Sequence, residues 1–302
     1  MDFGGFFRER RFYESPFAVK GYRLLRRGAS RAGFQVVLKT FYSPIPEIER
    51  LPSGWFEREA EMPGVDLRLD AQLERLRGEL AAPMAAFTPP AEPTGDPHRY
   101  AVANPSYGHL DAASLYATVR AARPRRVVEL GSGHSTLVTA QAIRDGGLET
   151  RLDVYDPYAA VVTPGLPGLG ALHAVPAQEV PFAVFEALEP GDILFVDTTH
   201  TVKAGSDVNH IVLEVLPRLA PGVLVHLHDI FIPFEYPRVW LEDFGLYWAE
   251  QYLVQAFLAM NPGYEVLWSS AALARLRRSE LAGALAPGVP PEGGSAFWIR
   301  RV

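Results

Sequence analysis

The 302-residue chain is long enough for one or two domains with a sizeable core, and 48% of its residues are hydrophobic. Its net charge of −6 argues against a general nucleic-acid-binding protein, and the absence of cysteine excludes disulfides, thiolate metal sites and cysteine nucleophiles. No apolar run is long enough to span a membrane and no signal-peptide core is visible, so we expect a cytoplasmic protein.

The first 40 residues are rich in arginine and aromatic side chains, and two interpretations of them stay open. They form a surface arm whose aromatic side chains pack on the main domain, or their positive charge attracts an anionic partner or a membrane surface. The charges of this stretch show no clean amphipathic period, which favours the surface arm.

Residues 1–98 are predicted to form an N-terminal arm and cap, separate from the domain that follows. Leucines at three- and four-residue steps predict a helix over residues 67–80, and a proline-rich loop covers residues 89–97. This element caps the mouth of a pocket or forms the contact of a homodimer.

Residues 99–302 alternate between apolar strands and helices. The predicted elements, in chain order, are a helix over 109–122 with Asp111 as its cap, strand 126–130, helix 135–144, strands 152–155 and 172–175, helix 180–188, strand 192–197, helix 208–219 and strand 223–229. Two last strands, 264–268 and 296–299, would form an antiparallel edge. The alternation predicts an α/β fold with a mostly parallel sheet and helices on both faces.

One stretch, residues 126–136, holds the chemistry around which this domain is built. A short apolar strand leads into Gly131 and Gly133, which allow a tight turn and the close approach of a ligand to the backbone. Ser135 and Thr136 are suited to cap the helix that follows. A strand, a glycine turn and a helix N-terminus together offer backbone N–H groups to a nucleotide-like or carboxylate-bearing ligand.

Two acids help to identify that ligand. The dinucleotide fingerprint needs a third glycine where this chain has Thr136, whereas Glu129 precedes the first glycine by two residues. Asp156, at the end of the next strand, is spaced like an acid that accepts ribose hydroxyls, although it could be a simple turn residue before Pro157. A nearby carboxylate also suits a positive sulfonium better than a pyrophosphate.

The acid–glycine motif resembles the first motif of class I methyltransferases that use S-adenosylmethionine. The later segments GDILFVDTTH (191–200) and PGVLVHLHDI (221–230) resemble the pattern of the group called methyltransferase family 24. The resemblance covers roughly residues 100–270, with weaker upstream similarity at residues 42–46 and 104–105. It implies a Rossmann-like sheet of seven strands, the last antiparallel, and methyl transfer from S-adenosylmethionine.

The resemblance also implies which residues contact the cofactor. They are Glu129, Gly131, Ser132, Gly133, Ser135, Thr136, Asp156, Gln178 and Asp197. Gln178 and Asp197 would lie beside the adenine and the methyl group, respectively. Thr136 departs from the glycine that many class I members have at this position.

Histidines and carboxylates at the ends of the fourth and fifth strands are the predicted catalytic groups. A hydroxyl acceptor must lose a proton, and we expect His228, or else His200, to be the base beside Asp197. The alternative is that both histidines only bond to the loop backbone. Asp197 and Asp229, with one of these histidines, also offer the ligands of Mg²⁺ or Mn²⁺.

The acceptor is expected to be a small molecule or a saccharide. Residues 231–262, a helical insertion after the fifth strand, contain many aromatic side chains that wall the acceptor pocket or simply pack in the core. Two other functions stay open: an NAD-dependent oxidoreductase on the same kind of sheet, and a methyltransferase-like binding protein without catalysis.

Overall fold

The computed structural model describes residues 12, 14–40, 42–162 and 165–302. The chain divides into two compact units, residues 1–53 with 239–247 and residues 54–238 with 248–302. The predicted arm and cap over residues 1–98 therefore contributes to both units, and its role as a separate domain stays a prediction. Among the described residues, every helix is too short or too polar to cross a bilayer.

The smaller unit contains one long helix, α1 (Pro16–Arg31), that the sequence analysis does not predict. Ser15 precedes it and accepts a hydrogen bond from the Ala18 N–H (3.3 Å), while Pro16 supplies the fixed φ that suits a first helical position. None of the helix's side chains is fully buried. The charge period becomes regular only within these 16 residues, which is why the pattern over 40 residues looked irregular.

The larger unit is built on a seven-stranded sheet. Its strands are β1 (Arg126–Leu130), β2 (Arg151–Tyr155), β3 (Leu169–His173), β4 (Ile193–Val196), β5 (Leu224–Leu227), β6 (Tyr264–Ser269) and β7 (Phe297–Arg301), in the order β3-β2-β1-β4-β5-β7-β6. The pairs from β3 to β5 are parallel, and β7 is antiparallel to both β5 and β6. This confirms the predicted Rossmann-like fold with an antiparallel last strand.

Helices surround the sheet. In the larger unit they are α2 (Leu69–Arg75), α3 (Ala81–Ala85), α4 (His109–Ala122), α5 (His134–Gly146), α6 (Phe182–Glu186), α7 (Asp207–His210), α9 (Glu250–Leu258), α10 (Ser270–Leu276) and α11 (Arg278–Ala284), whereas α8 (Arg238–Glu242) lies almost entirely in the smaller unit. A π-helical turn, Leu76–Leu80, joins α2 to α3, and π and 3₁₀ turns continue α7 to Arg218. The predicted leucine-rich helix is thus confirmed.

The core lies on both faces of the sheet, as the strand β4 shows. Ile193 and Phe195 belong to a core cluster with α4 and α5, whereas Leu194 and Val196 belong to a second cluster on the other face. Successive side chains of a strand point to opposite faces, so an unbroken apolar strand needs cover on both. Polar groups are therefore placed beyond the carboxyl end of the strand, where neither core cluster covers them.

Three local predictions were wrong. Strand β3 lies at Leu169–His173 rather than 172–175, because this edge strand alternates half-buried and exposed residues and has no apolar run. Helix α6 spans only Phe182–Glu186, since Pro181 stands at its N-cap. Asp111 does not cap α4: Gly108 is the N-cap, and the Asp111 side chain is buried.

Candidate functional site

The turn after β1 lies directly against the end of β4. Gly131 has φ +81°, and a Cβ there would stand 1.8 Å from the carbonyl oxygen of Asp197. A Cβ on Gly133, in contrast, would meet no atom within 4 Å. Gly131 is therefore required by the fold itself, while Gly133 keeps space open on the turn, as a ligand cradle needs.

Glu129 lies beneath this turn rather than on its surface. It is fully buried, and its Oε1 accepts hydrogen bonds from the hydroxyls of Ser135 (2.8 Å) and Thr136 (2.9 Å). Thr136 in turn accepts the Gly133 N–H at 3.1 Å. Ser135 and Thr136 therefore stabilise the turn through Glu129, and Gly133 is the N-cap of α5. Their predicted contact with a cofactor stays a prediction.

The charge state of Glu129 follows from this position. Burial raises the pKa of Glu129 to about 8, and the hydroxyls of Ser135 and Thr136 only partly oppose it. Its second oxygen, Oε2, is buried and has no hydrogen-bond partner in the part of the chain that the structure describes. At neutral pH Glu129 is mainly the neutral acid.

Asp156 stands at the end of β2, beside the same turn. Its Oδ2 accepts the Ser132 N–H (3.0 Å) and the Ser132 hydroxyl (2.6 Å), and its Oδ1 accepts the Tyr158 N–H (2.7 Å). Each carboxylate oxygen has more than one acceptor site, and the side chain is half-exposed, so Asp156 keeps capacity for ligand hydroxyls. The turn and Asp156 therefore fit a nucleoside.

Gln178 is in a 3₁₀ turn, Ala177–Glu179, after β3. Its side chain is exposed, and its Nε2 donates to the Gly205 carbonyl at 3.1 Å. That bond fixes the side chain to the loop before α7. A role beside an adenine stays a prediction.

Asp197, His200 and Asp229 form a cluster with metal-ligating geometry. One ligand atom from each lies within 4.8 Å of the others. His200 Nε2 is 3.2 Å from Asp197 Oδ1 and 3.7 Å from Asp229 Oδ2. Carboxylate oxygens with one imidazole are a donor set that suits Mg²⁺ or Mn²⁺. The fold thus brings together Asp197 and Asp229, the two predicted metal ligands.

His200 is held from its other side by Glu250, at the start of α9. His200 Nδ1 lies 2.8 Å from Glu250 Oε2, and the Trp248 ring stands 4.3 Å from the imidazole. A carboxylate on Nδ1 directs Nε2 toward the Asp197–Asp229 pair. Burial lowers the pKa of His200, but Asp197 and Glu250 outweigh it and hold this pKa well above its usual value.

His228 is buried among carboxylates at the end of β5. Its Nε2 is 3.4 Å from Asp111 Oδ2, and its Nδ1 is 3.6 Å from Asp197 Oδ2 and 3.6 Å from Asp229 Oδ1. Burial lowers the pKa of His228, but Asp197 and the other carboxylates overcome it and raise the pKa to about 9. The Tyr107 ring packs on it at 4.9 Å. His228 is therefore a cation at neutral pH in this arrangement.

Asp111 and Glu250 are site residues that sequence reasoning missed. Asp111 accepts hydrogen bonds from the Ser270 hydroxyl (2.6 Å) and the N–H groups of Ser295 (2.8 Å) and Ala296 (3.1 Å), besides facing His228. Each is a lone acid next to apolar residues in a helix. That is a usable signal, because such an acid must find a partner when the helix is buried.

The aromatic residues after β5 have mixed roles. Phe234 and Tyr236 are buried, Trp248 contacts His200, and Phe244 is exposed. Tyr236 packs edge-on against Trp248 with ring centroids 6.2 Å apart. Part of this predicted insertion is therefore core, and Trp248 adjoins the metal-ligating cluster.

Comparison with known proteins bears on the same part of the chain. The family model of methyltransferase family 24, described as a methyltransferase domain, matches residues 128–230. No curated protein matches the chain.

Several solved structures resemble the chain weakly. The methyltransferase PaMTH1 of Podospora anserina, bound to SAH, has 16% identity, covers 89% of this chain and 100% of its own, and gives a TM-score of 0.41. The apo form of CmcI has 15% identity and a TM-score of 0.37 over 64% of this chain and 71% of its own. A putative methyltransferase from Thermobifida fusca YX has 15% identity and a TM-score of 0.37 over 84% and 99%. At such scores the assignment has to depend on the family match and on the site.

The matched residues run from β1 to the residue after the His228–Asp229 pair, so they contain the glycine turn, Asp156 and the whole Asp197–His200–Asp229 cluster. These residues therefore match the model of a methyltransferase domain, which confirms their resemblance to methyltransferase family 24.

Proposed function

We propose that this protein transfers a methyl group from S-adenosylmethionine to a hydroxyl oxygen, with a divalent cation held at the ends of β4 and β5. The observation that carries the proposal is the contact between two parts of the site. The glycine turn after β1, with Asp156, is the nucleoside half-site, and the Asp197–His200–Asp229 cluster is the acceptor half-site. The turn that would cradle the nucleoside touches the backbone of Asp197 through Gly131, and Asp197 is also a member of the metal-ligating cluster. Donor and acceptor would thus meet within one short distance.

The nucleoside half-site supplies binding and orientation. Asp156 offers its free acceptor capacity to ribose hydroxyls, and Gly133 leaves the space that the methionine portion needs. S-adenosylmethionine supplies a methyl group already activated by its sulfonium, so the protein has chiefly to align the acceptor with it. The carboxylates nearby favour that positive charge.

The acceptor half-site supplies charge and proton control. Asp197, His200 and Asp229 would hold Mg²⁺ or Mn²⁺, which lowers the pKa of a hydroxyl placed beside it. Glu250 fixes the His200 ring so that Nε2 faces the two aspartates. Two carboxylates and one imidazole are ligand types that such an ion accepts, and their ligand atoms already lie within 4.8 Å of one another.

His228 is the proposed base, under one electrostatic condition. It holds a proton at neutral pH because Asp197, Asp229 and Asp111 are negative around it. If Asp197 and Asp229 held a cation, part of their negative charge would be neutralised, and the pKa of His228 would be lower than it is without the cation. His228 Nδ1, which faces both aspartates, would then accept the hydroxyl proton.

The acceptor class follows from the aromatic surface next to the cluster. The Trp248 ring stands beside His200, and Tyr236 supports Trp248 from the side. Flat aromatic rings and the apolar faces of sugars both stack on such side chains. A phenolic or sugar hydroxyl of a small molecule is therefore the proposed acceptor.

Calorimetry with S-adenosylhomocysteine and, separately, with NAD⁺ tests the nucleoside half-site. We expect micromolar binding of S-adenosylhomocysteine, a loss of about tenfold or more in Asp156→Asn, and little change in Asp153→Asn on the same strand. Tight binding of NAD⁺ alone would establish the oxidoreductase alternative. That alternative is disfavoured because Thr136 is buried and bonded to Glu129 where a dinucleotide site needs glycine.

Titration of the dialysed protein with Mn²⁺, followed by electron paramagnetic resonance, tests the metal half-site. Asp229→Asn should weaken binding about tenfold or more, and the matched change Asp145→Asn should not. With an acceptor in hand, methyl transfer should stop on chelation and return with Mg²⁺ or Mn²⁺. Transfer that survives chelation would remove the metal, and near-normal rates in both His228→Ala and His200→Ala would remove the histidine base. A chain that binds S-adenosylhomocysteine yet methylates no hydroxyl would be the non-catalytic alternative.

A further inference from the structure

Helix α1 of the smaller unit has two sharply different faces. At 100° per residue, Lys20, Arg23, Arg26, Arg27 and Arg31 fall on one side. The adjoining side consists of apolar or small residues, namely Phe17, Ala18, Gly21, Leu24, Leu25 and Gly28. The helix contains no acidic residue, although the chain as a whole has a net charge of −6.

The apolar face is exposed. Phe17 is 88%, Leu24 60% and Leu25 58% exposed. Exposing three large apolar side chains to water on one face of a 16-residue helix costs free energy that burial of this face would recover. This face is therefore suited to pack against an apolar partner.

The basic face borders a groove. Arg23, Arg26, Arg27 and Arg31 line a cavity of about 660 Å³ together with residues 34–37, which run back beside the helix. The Tyr22 hydroxyl holds that return segment by donating to the Val36 carbonyl at 3.1 Å. Guanidinium groups gathered in this way are suited to phosphate oxygens.

Carboxylates in the described part of the chain do not neutralise the basic side chains of α1. Of the residues that the structure describes, no carboxylate forms an ion pair with Lys20, Arg23, Arg27 or Arg31, and Arg26 packs on the Tyr22 ring instead. An anionic surface would therefore meet unneutralised cations along the length of the helix, which is about 24 Å.

We infer that α1 docks the protein on an anionic lipid bilayer, with its apolar face in the interface and its arginines among the lipid phosphates. A strong apolar face, a purely basic polar face and no acidic residue are the features of helices that lie in the membrane surface. Charge complementarity selects anionic lipids over neutral ones. This reverses the preference for a simple surface arm, because the helix separates charges that the longer stretch mixes.

Other occupants fit less well. A second copy of α1 packed through the same face would bring two sets of five cations together, with no carboxylate in either helix to offset them. A nucleic acid would satisfy the arginines but would leave Phe17, Leu24 and Leu25 in water. Only a surface that is both anionic and apolar satisfies the two faces at once.

Vesicle flotation of the full-length protein tests this inference. We expect the protein to float with vesicles of 70% phosphatidylcholine and 30% phosphatidylglycerol, and not with pure phosphatidylcholine. Leu24→Glu should reduce the bound fraction about tenfold, whereas Leu213→Glu, a 55% exposed leucine of the larger unit, should leave it unchanged. Arg23→Glu with Arg27→Glu should also reduce it about tenfold or more, while Arg77→Glu, on an exposed site of the larger unit, should not.

Three results would overturn the inference. The wild-type protein could fail to float with the anionic vesicles. Leu24→Glu could bind them as well as the wild type, which would show a purely electrostatic surface. Light scattering could show a wild-type dimer that Leu24→Glu converts to a monomer while flotation is absent, which would assign the face to a second copy. Circular dichroism of each variant ensures that a loss of binding is not a loss of folding.

Discussion

Two acids at the ends of neighbouring strands differ in charge at neutral pH: Glu129 on β1 is mainly neutral, and Asp197 after β4 is negative. Among the described residues Glu129 accepts hydrogen bonds from two hydroxyls, and its burial raises its pKa to about 8. Burial opposes ionisation of Asp197 as well, but His228 and His200 outweigh it and lower its pKa to about 2. The two acids are close in the fold, because the Asp197 N–H donates at 2.9 Å to the carbonyl of Leu130, the residue that follows Glu129.

The partners of an acid, rather than its residue type, therefore decide whether it can bind a cation or only stabilises the fold. An acid that is neutral at pH 7 can hold a turn together through hydroxyls, whereas an acid that remains charged can bind a cation. The site thus has a neutral half beneath the glycine turn and a charged half at β4 and β5. Four substitutions test this contrast.

Gly131→Ala should have the largest effect, because it attacks the contact between the two halves. The new Cβ would overlap the Asp197 carbonyl in a backbone conformation with φ +81°, so we expect a loss of more than about 4 kcal/mol in the free energy of unfolding. Urea denaturation measures it. Gly133→Ala is the control, with an expected change below about 1 kcal/mol because φ there is extended and the space is open. Equal stability of the two variants would contradict the geometry.

Glu129→Gln should remove a pH dependence. Because the folded pKa of Glu129 is raised to about 8 from 4.5, its favourable contribution is complete below pH 4.5 and is lost as the pH rises through about 8. The loss is on the order of 4 kcal/mol by linkage.

The free energy of unfolding, measured from pH 5 to 8.5, should fall more steeply in the wild type than in Glu129→Gln. His228 also loses stabilisation between pH 6.5 and about 9, but it does so in both proteins, so their difference isolates Glu129. The exposed change Glu189→Gln should leave the wild-type slope intact. Parallel curves for wild type and Glu129→Gln would show that Glu129 is charged at neutral pH.

Asp111→Asn should weaken the charged half. It removes one carboxylate from His228 and leaves two backbone N–H groups facing an amide, at a cost of about 2–3 kcal/mol. The pKa of His228 should fall below about 9, which proton NMR titration of the imidazole can follow. Asp153→Asn, on β2, serves as the control for both readings. An unchanged His228 pKa would mean that Asp197 and Asp229 suffice.

Ser132→Ala should have the smallest effect. It removes the 2.6 Å hydrogen bond to Asp156 but keeps the backbone bond at 3.0 Å. We expect about 1 kcal/mol of stability to be lost, with a few-fold change in the affinity for S-adenosylhomocysteine. Calorimetry measures the affinity. A loss as large as that of Asp156→Asn would show that Ser132 itself contacts the nucleoside.

Much of the fold followed from local sequence pattern. The apolar strands, the glycine turn and the helix over 109–122 are encoded by neighbours in the chain, and the polar residues after β4 and β5 were predicted to meet because parallel strands end at one edge. The edge strand β3 and helix α1 were misjudged, since an exposed strand lacks an apolar run and a short amphipathic helix is blurred by flanking residues.

The order of residues alone therefore predicts the Rossmann-like sheet and the set of polar residues at its carboxyl edge. Their charges and roles depend on the folded structure, which brings Asp111 to His228 across 117 positions of sequence and Glu250 to His200 across 50. Hydrophobic periodicity is a local property that the order of residues records. The protonation state of a buried group depends on burial and on charges from distant elements, and folding alone brings these together.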